Sequence, residues 1–368
     1  MKALVIGGTG PTGPYLVNGL VDRGYDVTIM HRGTHDSDLI PASVERLIGD
    51  PHFRETLRDT LGDRRFDLVI ATYGRIRYIA DEMVGRTPRL ITIGGPPSYR
   101  GMVVADGNYP PGMPIPTPEN APRIETEEEF RFGYLIRTTE DAVLGHHEAG
   151  DYEATLFRYP LVYGLSPLGG AVWQVMERVL DGRTYLVLPD GGLGIISRGF
   201  SENMAHAVLL SVDHPSAASG QIFNCADERQ FTFAQWVQLI CDSLDTSLEI
   251  IGLPAEFACT SADFFQLGAA PLHQLLDLQL LRERLGYRDV VDPIDAVGRV
   301  VAWHKSNPGP RRSERSGGLL NYEAEDAQVA IYRRFANELA AVPVNRSEVH
   351  HPYPHPKEPG KDRDHRSR

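Results

Sequence analysis

The chain has 368 residues, 42% of them hydrophobic and 23% charged, with a formal net charge of −12. That length supports a substantial core in one large domain or two ordinary ones, and the acidic balance argues against a nucleic-acid partner, whose phosphates need a basic face. Cys225, Cys241 and Cys259 are too scattered for a disulfide framework or a zinc site and read as buried reduced thiols.

The first third alternates strand and helix signals. Residues 2–6 form a short apolar strand, and a glycine-rich turn follows at 7–13. Leu16, Val17, Leu20 and Val21 carry helical spacing across 15–23, and Gly24 closes that helix as a C-cap. Further strands are predicted at 27–30, 44–48, 67–71 and 90–93. Short apolar strands separated by helices imply a parallel sheet covered on both faces. Six prolines between Pro110 and Pro122 make 101–124 a loop. A helix is expected at 126–144 and a sixth strand at 154–162, then helices at 173–180, 201–212, 233–243, 272–285 and 294–304. A polar linker at 307–318 leads to a last helix at 323–341, and the Pro/His-rich tail from 342 is expected to be loosely held. Within that tail His350, His351 and His355 read as a flexible arm rather than a metal site, because the prolines prevent a regular array of imidazoles. The start, 3–6, is too short for a signal peptide and no apolar run reaches the roughly twenty residues of a membrane span. A cytoplasmic protein with no membrane partner is therefore expected.

The run Gly7-Gly8-Thr9-Gly10-Pro11-Thr12-Gly13 lies between the first strand and the first helix, the context that gives such a run meaning. Gly7 permits the tight turn, Gly10 lets a pyrophosphate approach the backbone, and Gly13 allows close helix packing. The phosphates would sit at the helix N-terminus with Pro11 and Thr12 beside them. After the second strand, Met30-His31-Arg32-Gly33 offers a cation where an NAD site usually places an acid. Arg32 either favours a ribose 2′-phosphate or merely caps a turn. NADP(H) is the expected cofactor, with NAD(H) as the alternative.

The G-x-x-G-x-x-G spacing resembles the extended short-chain dehydrogenase/reductase superfamily, the epimerase/dehydratase group. Leu156-Phe157-Arg158-Tyr159-Pro160-Leu161-Val162-Tyr163-Gly164 is similar to its R-x-x-x-V-Y-G stretch, and Gly220-Gln221-Ile222-Phe223-Asn224 to its G-x-x-[FY]-N strand. The likeness covers about residues 1–305. It implies an α/β fold: a doubly wound parallel Rossmann sheet at 1–165, with a return segment near 195–225. A smaller mixed α/β substrate-binding part is expected at 166–194 and 226–305, then a C-terminal extension of linker and helix at 306–341 and tail at 342–368. It also implies cofactor contacts at Tyr159 and at Asp50, which would meet the adenine unless it is only the turn residue before Pro51. A small-molecule substrate is expected, and a homodimer through the helices near 76–86 and 126–147.

The chemistry of that group uses a Tyr, a Lys four residues on, and a Ser or Thr after the fifth strand. A Tyr of pKa about 10 protonates a reduced ketone only when a nearby ammonium stabilises its phenolate. Aligned with the pattern Y-G-x-x-K-x-x-x-E, this chain reads Phe132, Gly133, Ile136 and Glu140, and no lysine occurs between Lys2 and Lys305. Gly94-Gly95 stands where the hydroxyl pair would be. Replacement candidates are Tyr134, one register away, and Tyr99, beside the expected nicotinamide pocket. Arg137 is a substitute cation or an exposed helix residue, and His146 and His147 read as solvated. Three readings follow: an oxidoreductase or epimerase/dehydratase-type enzyme with a rebuilt acid/base group, a non-redox enzyme on the same scaffold, or a non-catalytic NADP(H) sensor.

Overall fold

The structure is a computed structural model, described over residues 1–34, 37–166, 170–258, 273–311, 322–344 and 358–360. Its first part runs β1 (Lys2–Ile6), α1 (Gly13–Asp22), β2 (Asp26–His31), β3 (Glu45–Ile48), α2 (Arg54–Leu61), β4 (Leu68–Ala71), α3 (Ile76–Glu82), β5 (Arg89–Gly94), α4 (Glu127–Glu148) and β6 (Glu153–Arg158). There follow β7 (Leu161–Tyr163), α5 (Ala171–Leu180), β8 (Tyr185–Pro189), β9 (Arg198–Phe200), α6 (Ser201–Asp213), α7 (Pro215–Ala218) and β10 (Gln221–Asn224). The rest is α8 (Phe233–Asp242), β11 (Glu249–Leu253), α9 (Gln279–Leu285), α10 (Pro293–Ser306) and α11 (Tyr322–Ala340).

Seven parallel strands form the main sheet in the order β10-β6-β5-β4-β1-β2-β3. The alternation of side chains divides its core in two. Ala3 and Val5 of β1 pack with Leu16 and Leu20 of α1 and Met204 and Val208 of α6, whereas Leu4 and Ile6 pack with Leu57 of α2, Ile79 of α3 and Val143 of α4. Both faces are thus covered, which is why the strands read as continuous apolar runs. Order reverses between β1 and β4, and ligands bind open sheets of this kind beyond the strand ends at such a point. A second core joins Trp173 and Met176 of α5, Leu186 and Leu188 of β8, Trp236 of α8 and Val297 of α10. Residues 1–322 form one compact unit. Residues 323–368 form another, and within it α11 is the long element.

The structure corrects several expected boundaries. The sixth strand stops at Arg158, and Leu161–Tyr163 leaves the sheet to pair with β9, because Pro160 has no N–H to continue a ladder. The helix expected over 272–285 starts only at Gln279. Before it, Gln274 and Leu276 run extended, bridging Ile196 and Thr117. The parallel pair β8–β11 carried no clear periodicity and was not expected. Residue 146 is not simply solvated: α4 extends to Glu148, and the His146 ring bridges Asp151 (2.7 Å) and Asp81 (3.0 Å). The Pro-rich loop is ordered by the 273–277 segment, with Thr117 donating to the Leu275 carbonyl at 2.7 Å. The tail histidines and Cys259 lie outside the described residues; Cys225 and Cys241 are buried and free.

Asp227 gives the fold a pH dependence. It accepts hydrogen bonds from the Phe200 amide, the Asn203 amide and the Tyr163 hydroxyl, each at 2.9 Å, and so ties β7 to the start of α6. Burial pushes its carboxyl up to about 7 despite those donors. Since the folded value lies above the unfolded one, the protonated form favours folding. That stabilisation is complete below about pH 4 and is lost as pH rises through 7. Urea titrations should show stability falling by a few kcal/mol across this interval, and Asp227→Asn should flatten that slope.

Candidate active site

The glycine turn sits at the C-terminal edge of the sheet where strand order reverses. Gly7 adopts φ 107° and Gly8 φ 73°, conformations that L side chains avoid. A Cβ on Gly13 would stand 2.0 Å from the Gly8 carbonyl oxygen, so this glycine lets α1 close onto the turn itself. A Cβ on Gly10 would meet nothing within 4 Å. Open space at Gly10, beside the N-terminal end of α1, leaves room for the diphosphate of a dinucleotide at the positive end of the helix. Pro14 at the start of α1 costs no helix bond, and Thr12 is nearly buried.

The turn connects in two directions. Towards β2 and β3, the exposed Arg32 guanidinium stands 5.2 Å from the centre of the Tyr73 ring, and His52 meets the same ring edge-on at 4.9 Å. Asp50 accepts from the backbone N–H (3.0 Å) and ring (2.7 Å) of His52, and these bonds, with Arg32 nearby, hold its carboxyl below the usual range. The Asp50 carboxylate is therefore a turn-former, set beside a flat aromatic floor. Towards β6, Thr12 lies beside the Tyr159 hydroxyl, which donates to the Met204 carbonyl at 3.0 Å.

Tyr159 also lines a cavity of about 440 Å³ over the ends of β5 and β6. One wall is Gly94, Gly95 and Pro97; α4 contributes Phe132 and Ile136; the Pro-rich loop adds Met102 and Met113. A second cavity of about 470 Å³ shares Gly94, Phe132 and Ile136 with it and is lined further out by Arg75 and Arg77. The register of α4 is fixed by Gly133, where a Cβ would lie 2.3 Å from the Pro97 carbonyl. Phe132 and Ile136 thus face the space that a Tyr and a Lys would otherwise reach. Among the described residues lining the first cavity, Tyr159 is the only one that titrates. Burial raises it, and its proton is engaged.

Neither replacement candidate enters this cavity. Tyr99 is 1% exposed; its hydroxyl donates to Asn224 Oδ1 (2.8 Å) and accepts from Arg158 Nη1 (2.6 Å), and burial pushes it up to about 12. Tyr134 lies under the Arg137 guanidinium at 5.2 Å and is not among the lining residues. Arg137 is itself bound to Asp141 (2.8 Å) and the Ile124 carbonyl (3.2 Å), away from the lysine position. Sequence reasoning missed the network that holds the wall. Arg158, 1% exposed, pairs through two nitrogens with Glu140, each at 2.7 Å, and also reaches the Glu119 carbonyl at 2.9 Å. The final Glu of the helix pattern was the available signal.

No family model matches the chain. It is 25% identical over 251 residues to a Streptomyces protein named 3-diazoavenalumate denitrifying reductase, covering 64% of this chain and 79% of that one. Among solved structures it resembles the UDP-glucose 4-epimerase of Thermotoga maritima with UDP-glucose, at TM-score 0.67 and 17% identity, over 83% of this chain and 99% of the other. It also resembles the dTDP-glucose 4,6-dehydratase of Bacillus anthracis in complex with NAD, at TM-score 0.64 and 13% identity, over 83% and 97%. The chain shares the Rossmann-type α/β fold of these epimerase and dehydratase structures.

Two outcomes follow from this geometry. Gly10→Leu should fold normally, its melting temperature within about 2 °C of wild type, and any nicotinamide dinucleotide that wild type binds should bind it at least about tenfold more weakly by calorimetry. Glu140→Ala, which strands a buried guanidinium, should cost about 3–5 kcal/mol in urea unfolding.

Proposed function

We propose that this protein is a reductase of the extended short-chain dehydrogenase/reductase type that uses NADP(H). Its substrate is a small electrophile needing no proton from the enzyme, namely an arenediazonium cation that loses dinitrogen. The observation that carries this reading is the cavity wall. Phe132, Ile136, Gly94 and Gly95 offer neither acid nor ammonium where a carbonyl reductase needs both.

In this reading Gly10 and the first turn of α1 receive the diphosphate, Arg32 the 2′-phosphate, and the Tyr73 and Asp50 corner the adenine. When bound, NADPH supplies the hydride that forms the new C–H bond while N2 departs with the electron pair of the C–N bond. Charge balances without a proton. The side chains of the cavity keep water out and hold the arene flat between Phe132, Pro97 and the Met102–Met113 side. The missing groups are a benefit here, since a tyrosine phenolate would couple to a diazonium and a lysine amine would add to it. The named activity of the Streptomyces relative, a denitrifying reductase of a diazo compound, supports the same class. A nucleotide-sugar substrate is less well supported, because the first cavity has no charged side chain in its lining to meet a diphosphate.

With NADPH deuterated at the transferable position, one deuterium should appear at the carbon that carried nitrogen, with one N2 released per NADPH oxidised. Turnover that consumes no NADPH, or product without the label, would overturn the reading. Arg32→Ala should weaken NADPH roughly tenfold, about the worth of one charge-assisted contact, while leaving NADH affinity nearly unchanged.

A further inference from the structure

Apart from Tyr159, two polar side chains line the first cavity, and each has one side-chain hydrogen bond committed to the backbone. Gln274 and Ser197 are both 3% exposed and sit next to one another, with the Ser197 amide donating to the Gln274 carbonyl at 2.9 Å. Gln274 Nε2 donates to the Met102 carbonyl at 2.9 Å. A carbonyl only accepts, so this bond fixes which end of the side-chain amide faces Met102 and leaves Oε1 at the other end. Ser197 Oγ accepts from the Leu276 amide at 2.9 Å, and its own proton remains to be given. Neither Gln274 Oε1 nor the Ser197 hydroxyl proton has a bonding partner among the described residues.

Both side chains line the cavity with hydrogen-bonding capacity that a polar group of a ligand can use. We infer that Gln274 and Ser197 together form a hydroxyl-reading subsite, and that the ligand of this cavity is an arene bearing a phenol. The phenol O–H donates to Gln274 Oε1 and the phenol oxygen accepts from Ser197. One hydroxyl, donor and acceptor at once, engages Gln274 Oε1 and the Ser197 proton together, whereas a hydrocarbon engages neither and an ether only accepts. The rest of the lining, including Met102, Met113, Leu276 and Phe132, suits the ring. The pair sits on the wall made by 195–197 and 273–276 with the Pro-rich loop, and Gly94 and Gly95 belong to the sheet edge. The inference rests on reading the cavity as the substrate site, and does not depend on hydride chemistry.

The test is calorimetric, on the full chain saturated with NADP+, using p-cresol, 4-methylanisole and toluene, none of which reacts. Wild type should bind p-cresol at least about tenfold more tightly than toluene, with 4-methylanisole, which can accept but not donate, falling between them. Gln274→Leu and Ser197→Ala should each lower p-cresol affinity and leave toluene affinity unchanged, a pattern that loss of structure would not produce. Equal affinity of wild type for p-cresol and toluene overturns the inference and needs no variant to be folded. So does a Gln274→Leu protein that binds NADP+ poorly but keeps its preference for p-cresol, since the pair would then belong to the cofactor's carboxamide. Because no turnover is measured, failure of hydride transfer would leave this result standing, and loss of phenol preference would leave hydride transfer standing.

Discussion

The buried pairing of Arg158 with Glu140 is the constraint on which the rest of the site depends. Arg158 ends β6, Glu140 lies midway along α4, and the guanidinium also holds the Tyr99 hydroxyl and the Glu119 carbonyl. Tyr99 in turn binds Asn224 at the end of β10, whose side-chain amide donates to the Thr117 carbonyl. One cation thereby ties together two strands, the long helix, the turn after β5 and the Pro-rich loop. These are the walls of the cavity. A charge withdrawn from water survives only when fully paired and hydrogen-bonded, and the pairing met here sets α4 at one height against the sheet. At that height Phe132, though half exposed, and Ile136 line the cavity.

Much of this arrangement is legible in the sequence because it is local. The glycine turn, the first five strands and the strand-helix alternation follow from apolar periodicity and from residues that tolerate positive φ. The register of α4 follows from Gly133 and Glu140, and the structure gives each a contact that only that residue type makes. The positions of Phe132 and Ile136 were therefore readable without coordinates.

What was not legible depends on contacts distant in sequence. Nothing local says that 273–277 runs extended, since Leu275, Leu276 and Leu278 suit a helix as well. The pairing with Thr117 and with 195–197 decides it, and that pairing brings Gln274 to the cavity. Tyr99 follows its strand at a plausible distance for substrate contact, and only the partnership with Arg158 and Asn224 withdraws it. The break at Pro160 was visible as a residue, but its effect, sending β7 to β9, depends on a partner strand 37 residues further along the chain.

In the proposed reading a dinucleotide cradle of ordinary design adjoins a reaction chamber without the usual proton donor. The direct test of that reading is the pH dependence and solvent isotope effect of the hydride-transfer step, observed in single turnover with an arenediazonium. With Tyr159 the only titrating side chain among the described residues of the lining, and burial raising it, the rate should be flat from about pH 5.5 to 8 and equal in H2O and D2O. A sigmoidal profile accompanied by a solvent isotope effect of about two or more would show that a proton is delivered in the rate-determining step, and would contradict the central claim.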